Sequence, residues 1–152
     1  MQTSELNIFI DCTRTIAYNH LAEPINMIGL LPLLSEIDVL KERKDEAGIP
    51  LRPFYTVETF KWFGLPIFRS KVYSVIRLTN PEEEMEYRLS RKPGIELVST
   101  YSFRQYNDQR THITQSMSLV RAPKFLANIA VNQARQAQRA LLSNLKVRLE
   151  KK

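Results

Sequence analysis

From Lys124 to about Glu150 the chain contains neither glycine nor proline and is rich in alanine, leucine, glutamine and arginine. These are strong helix formers, so the segment reads as one helix of about 27 residues, about 40 Å long at 1.5 Å per residue. What comes before it gives this helix its importance. Six stretches of strand character, residues 34–43, 51–63, 67–78, 84–90, 95–106 and 110–120, are separated by short turn signals: Lys44 to Gly48, Gly64 to Pro66, Asn80 and Pro81, Lys92 to Gly94, and Asn107 and Asp108. Short loops between successive strands predict an antiparallel meander. One face of that meander is apolar along its whole length, so the sheet must close on itself or be covered, and the final helix is the only predicted element long enough to cover it.

The first part of the chain adds one more strand and a change of period. Leu6, Ile8 and Ile10 alternate with Asn7, Phe9 and Asp11 in the strand-like stretch from Leu6 to Cys12. From Thr15 to Leu31 the apolar residues recur at three to five, and Pro24 divides that stretch into two short helices, the second stopped by Pro32. The expectation is an α+β fold: a seven-stranded curved antiparallel sheet, two short helices after the first strand, and a long C-terminal helix across a cavity. No repeat, low-complexity tract or flexible linker marks a boundary, so residues 1–152 read as one domain, with 43% hydrophobic residues sufficient for a core. Met1 to Asn7 lacks the basic and apolar regions of an export signal, and no apolar run approaches membrane-spanning length; a soluble, unexported, cytoplasmic protein is expected.

The order of elements, together with the hairpin Phe63-Gly64-Leu65-Pro66-Ile67-Phe68-Arg69-Ser70, resembles the START-like superfamily, also called SRPBCC. That superfamily includes polyketide cyclases and aromatases, pollen-allergen-like plant proteins and lipid-transfer domains, and the resemblance covers nearly the whole chain. It implies the helix-grip fold and a hydrophobic ligand held between sheet and C-terminal helix. Some such proteins act on the ligand and many only carry it, so the resemblance implies a pocket rather than a reaction.

Strand alternation names the residues that would line such a pocket. Ile95, Leu97, Ser99, Tyr101 and Phe103 share one face, as do Ile113, Gln115, Met117 and Leu119 on the next strand. Phe68, Ser70, Val72, Ser74, Ile76 and Leu78 form a third row, and Met85, Tyr87 and Leu89 a fourth. Each row carries polar interruptions. A buried polar group without a partner costs about 1 to 3 kcal/mol, so these groups bond within an ordinary core, to water or to a ligand. On the helix, side chains between Asn128 and Ala140 are thin or polar, whereas Phe125, Leu126, Leu141, Leu142 and Leu145 bulk out the two ends. This pattern fits either close packing through alanine or open space above the sheet. The expected ligand-binding set is therefore Ser70, Val72, Ser74, Tyr87, Ser99, Tyr101, Phe103, Gln115 and Met117 on the sheet, with Ile129, Gln133, Gln136 and Ala137 on the helix. The aromatic run from Phe60 to Phe68 either packs on the short helices or forms the cavity entrance through Trp62, Phe63 and Leu65.

Chemistry is sparse. A lone cysteine, Cys12, reads as a small buried hydrophobe, and with only His20 and His112 beside it no metal site or other cofactor is expected. No triad-like arrangement and no phosphate-binding glycine loop can be placed. Cyclase-type chemistry would need one acid or base facing the cavity; Tyr87, Tyr101, Tyr55 and Glu58 are the candidates, and no feature selects among them. The net charge of +6 falls entirely on residues 124–152, which hold seven basic residues against Glu150. Such a helix either contacts an anionic membrane at its periphery or presents a solvated face suited to the helix dipole. No aromatics beyond Phe125 interleave with these cations to stack bases, so nucleic acid is not an expected partner. The two readings carried forward are a binding or transfer module for a lipid or polyketide, and a cyclase, aromatase or dehydratase acting on a related precursor.

Overall fold

The computed structural model describes residues 3–62, 65–92 and 94–151. Eight strands form one antiparallel sheet: β1 (Thr3–Ile10), β2 (Leu34–Val39), β3 (Arg43–Lys44), β4 (Pro50–Trp62), β5 (Leu65–Asn80), β6 (Glu84–Arg91), β7 (Ile95–Asn107) and β8 (Arg110–Arg121). Their order is β1-β8-β7-β6-β5-β4-β2, with β3 paired to β4. The predicted meander is therefore present from β4 to β8. β1 pairs with β8 as the first strand of the chain against the last. A helix, α1 (Arg14–Leu21), follows β1, and the long helix α2 (Ala127–Glu150) closes the chain.

Three details differ from the sequence reading. The stretch 34–43 is two strands rather than one. The ladder with β4 is interrupted after Val39 by one extra residue and resumes at Arg43–Lys44, which leads into a tight turn where the Asp45 carboxylate accepts from the N–H groups of Ala47 and Ile49. Of the two expected short helices only α1 is α-helical. Pro24–Met27 forms a single 3-10 turn that ends at Ile28 and Gly29, before Pro32 is reached. The third difference is in α2, which starts at Ala127 after a 3-10 turn at Lys124–Leu126, three residues later than expected.

Alternation on the strands holds residue by residue. On β7, Ile95, Leu97, Ser99, Tyr101 and Phe103 are buried and their neighbours are not; on β8, Thr111, Ile113, Gln115 and Met117 are buried. The inward rows meet α1, the 3-10 turn and the C-terminal half of α2 in a core built on Ile10, Leu21, Met27, Leu30, Phe54, Ile76, Met85 and Ile113, into which Leu141, Leu142 and Leu145 insert.

Polar ties hold that half of α2 in place. Asn144 Nδ2 donates to Leu30 O at 2.9 Å and Lys146 Nζ to Phe9 O at 2.8 Å, while Glu150 accepts from the backbone of Asp11 at 2.8 Å. Arg148 donates to Asn26 O and Ile28 O, both at 2.7 Å. The N-terminal half of the helix has a different character, with Ala130 and Val131 as its buried residues. The short side chains of Ala130, Ala134 and Ala137 face the sheet there, and this is where the cavity lies.

Candidate functional site: a cavity under the long helix

The cavity has a volume of about 410 Å³. Its roof is α2 at Ala130, Gln133, Ala134, Gln136, Ala137, Gln138 and Ala140. The floor comes from the inward rows of β4 to β8, and one wall is the connection Leu31–Leu33. Leu89, Ile95, Leu97 and Met117 make most of the floor apolar. The roof is thin because alanine recurs near helical spacing, and the floor is broad because each strand contributes only every second residue.

Polar side chains are set among these apolar residues at several levels of the floor. Thr56 and Glu58 enter from β4, Ser74 from β5, Tyr87 and Arg91 from β6, and Ser99 from β7. Glu58 and Arg91 form an ion pair, Arg91 Nη2 to Glu58 Oε2, with side chains only 15% and 19% exposed. Because β5 lies between β4 and β6, the pair bridges over the intervening strand. Burial pushes the Tyr87 phenol well above its ordinary pKa. The Ser74 hydroxyl partly offsets this, and the Glu58 carboxylate adds to it. Tyr87 is therefore a protonated hydrogen-bond donor at neutral pH. Ser74 Oγ is buried beside it without alignment for a hydrogen bond of ordinary geometry.

Seven of the residues expected to bind ligand line this cavity together: Ser74, Tyr87, Ser99, Met117, Gln133, Gln136 and Ala137. Gln133 and Gln136 stand at its exposed rim. The other six are placed elsewhere. Val72 is fully buried on the inward row of β5 and does not reach the cavity surface, and Ser70, paired with Glu58 in the ladder, is half-buried outside it. Phe103 packs edge-on against Tyr18, with ring centroids 5.2 Å apart, in the core under α1. Tyr101 is fully buried and donates its hydroxyl to Gln138 Oε1, so it ties the sheet to the helix at the cavity's end. Ile129 is corrected outright: it is 53% exposed on the outer face of α2, one residue and about 100° away from the inward stripe that begins at Ala130. As for the expected entrance, Phe63 lies outside the described residues, and so do the side chains of Trp62 and Leu65, whose backbones pair across the end of the β4–β5 hairpin.

Gln115 is the sixth, and its environment is unusual. It is fully buried between Leu6 and Tyr101 in the ladder, and neither atom of its amide has a hydrogen-bond partner among the described residues. An unpaired buried amide costs about 1 to 3 kcal/mol, and methionine fills nearly the same space without polar atoms. Gln115→Met is therefore expected to raise the melting temperature by about 3 to 6 °C. A fall instead would mean that the amide is hydrogen-bonded in solution to water or to a ligand.

Among the candidate acids and bases, Glu58 and Tyr87 face the cavity, whereas Tyr101 is spent on Gln138. Tyr55 lies on the opposite face of β4, against Tyr73. Arg91 was not anticipated, although it shares the parity of Met85, Tyr87 and Leu89 along β6. Among the described residues no cluster of three or more His, Cys, Asp and Glu side chains gathers as a metal site, and no helix is long and apolar enough to cross a membrane.

The chain has the START-like, or SRPBCC, fold, in the helix-grip arrangement of curved antiparallel sheet and long C-terminal helix. Solved structures with this architecture match it over nearly its whole length. A START superfamily protein from Mycobacterium smegmatis superimposes with a TM-score of 0.68 at 8% identity, covering 97% of both chains. The Zhui aromatase/cyclase from Streptomyces sp. R1128 does so with a TM-score of 0.68 at 12% identity, covering 97% of this chain and 94% of that one. A protein from Thermus thermophilus gives a TM-score of 0.72 at 11% identity and 97% coverage of both. No family model matches the sequence, and no curated protein matches it.

Proposed function

We propose that this chain, acting as one START-like domain, binds a hydrophobic small molecule, such as a lipid or polyketide, between its sheet and α2. The observation that carries this reading is a cavity of about 410 Å³ whose lining is mainly apolar with a few polar groups set among it. Small-molecule sites have this size and this combination of an apolar body with a few convergent polar groups. The thin roof supports it further, since large residues would fill the space if the helix served only to complete a core.

A second reading has its own observation. Glu58 and Tyr87 are ionisable groups on the cavity surface, as an aromatase, cyclase or dehydratase acting on a polyketide precursor would require, and the Zhui protein of like fold is an aromatase/cyclase. General acid-base chemistry would use a carboxylate and a protonated phenol facing the same pocket. The experiment is native mass spectrometry of the purified protein, followed by denaturation and extraction. A copurifying apolar compound supports carriage. A protein that is empty and that also takes up no naphthyl probe on titration would sink both readings. If an added polyketide is consumed in a Glu58-dependent way, the enzyme reading replaces the carrier.

A further inference from the structure

Three hydroxyl-bearing residues form a band across the cavity floor, one from each of three neighbouring strands. Tyr87 on β6 is directly opposite Ser99 on β7, and Ser74 on β5, which pairs with Leu89, is diagonal to Tyr87 on the other side. All three line the cavity, and Tyr87, Ser99 and Ser74 are 5%, 4% and 1% exposed. Leu89, Leu97 and Met117 border the band with apolar surface. Ser74 Oγ has no hydrogen-bond partner among the described residues, although the Tyr87 phenol is near enough for this hydroxyl to act on its proton. An unpaired buried hydroxyl is costly, and this one belongs to the lining of a cavity rather than to packed core. Every member of the band has a proton to give, because burial keeps the phenol protonated and a serine hydroxyl always carries its hydrogen. A phenol also donates more readily than it accepts, since its oxygen shares electron density with the ring. A carbonyl oxygen, with two lone pairs and no proton of its own, complements such a set of donors.

We propose, on the basis of the binding reading above, that this band recognises an uncharged carbonyl oxygen, as in an aryl ketone, quinone or ester, on an otherwise apolar ligand. Tyr87 and Ser74 donate to the oxygen, and the apolar body lies over Leu97 and Met117, beneath Ala134 and Ala137. The Tyr87 ring is held edge-on against Phe54, with centroids 5.8 Å apart, so its hydroxyl is presented in a fixed direction and little ordering is left to binding. For Ser74, the ligand supplies the partner that the protein lacks.

Three naphthyl probes of similar size test this by isothermal titration: 2-acetonaphthone, a ketone; 2-isopropenylnaphthalene, in which a methylene replaces the oxygen; and 1-(2-naphthyl)ethanol, the matching alcohol. The wild-type protein is expected to bind the ketone about tenfold more tightly than the alkene, and no less tightly than the alcohol. Infrared difference spectra of the bound ketone should place its carbonyl stretch at a lower frequency than in hexane. Ser74→Ala and Tyr87→Phe each remove one donor and keep the shape of the site. Each should reduce the preference for ketone over alkene to about threefold and move the carbonyl stretch back toward its value in hexane. Either variant carries the test if the other fails to fold. Equal binding of ketone and alkene by the wild type overturns the inference and leaves the cavity standing as a hydrophobic site. So does a preference and a carbonyl frequency that neither substitution changes, and so does an alcohol bound more tightly than the ketone. If none of the three binds, the binding reading falls and takes the inference with it.

Discussion

Ala137→Trp is expected to leave the protein folded and to weaken binding of 2-naphthol by about 100-fold, equivalent to about 2.7 kcal/mol. Ala137 lines the roof of the cavity near the middle of the helix, with Ala134 and Ala140 one turn to either side. An indole in its place buries a large aromatic surface in a space of about 410 Å³. Because that space is open, the ring enters without displacing packed atoms, and overpacking costs of about 1 to 3 kcal/mol should be largely avoided. The helix is held from Leu141 onward by Leu142, Leu145, Asn144, Lys146 and Arg148, so its anchorage does not depend on position 137. Ile129→Trp, on the exposed face of the same helix, is the control and should leave binding unchanged. Thermal melts and probe titrations read the two effects separately. A collapse of the fold in Ala137→Trp would show that the roof is packed against the floor in solution.

Why the cavity could be anticipated while half of its polar lining could not follows from how each signal is encoded. Alternation along a strand depends on parity alone, so the inward rows through Ser74, Tyr87, Ser99 and Met117 are visible without knowing which strands are neighbours. The run of alanines in α2 is equally local. An ion pair is different: Glu58 and Arg91 are 33 residues apart, and they meet only because β4, β5 and β6 are adjacent in a particular register. An arginine beside the turn at Lys92 reads by itself as a solvated charge. Its parity with Tyr87 and Leu89 was the available signal, as was the parity of Thr56 and Glu58 with the buried Phe54. Ile129 failed for a related reason. In a strand an error of one residue reverses the face, whereas in a helix it turns the side chain by only about 100°, so a stripe of thin residues does not fix its own edges. The break in 34–43 is one extra residue against β4, since Val39 pairs with Phe54 and Arg43 with Leu51, and hydrophobic period carries no trace of it.

Gly29→Ala is expected to lower the melting temperature by about 5 to 10 °C, from a loss of about 2 to 3 kcal/mol. Two causes act at this position. Gly29 has φ of +86°, a conformation that costs an L-residue about 1 to 2 kcal/mol. A Cβ there would also stand 2.6 Å from Arg148 Nη2, the atom that donates to Ile28 O. Arg148 must therefore move, and its bonds to Ile28 and Asn26 and its contact with His20 Nε2 at 3.2 Å weaken together. The guanidinium can donate to that ring nitrogen only while His20 is neutral. Burial first, and the Arg148 charge second, hold the His20 pKa below its ordinary value. The unfolded chain thus takes up a proton near its ordinary pKa of about 6.5 while the folded chain resists it, and wild-type stability declines as pH falls from 7 toward 5. In Gly29→Ala the part of this decline that Arg148 causes should shrink, and the part caused by burial should persist. Denaturant melts of both proteins at the two pH values measure the difference. If the variant is as stable as the wild type, Arg148 relaxes freely, and the C-terminal end of α2 is held by its leucines rather than by this clamp.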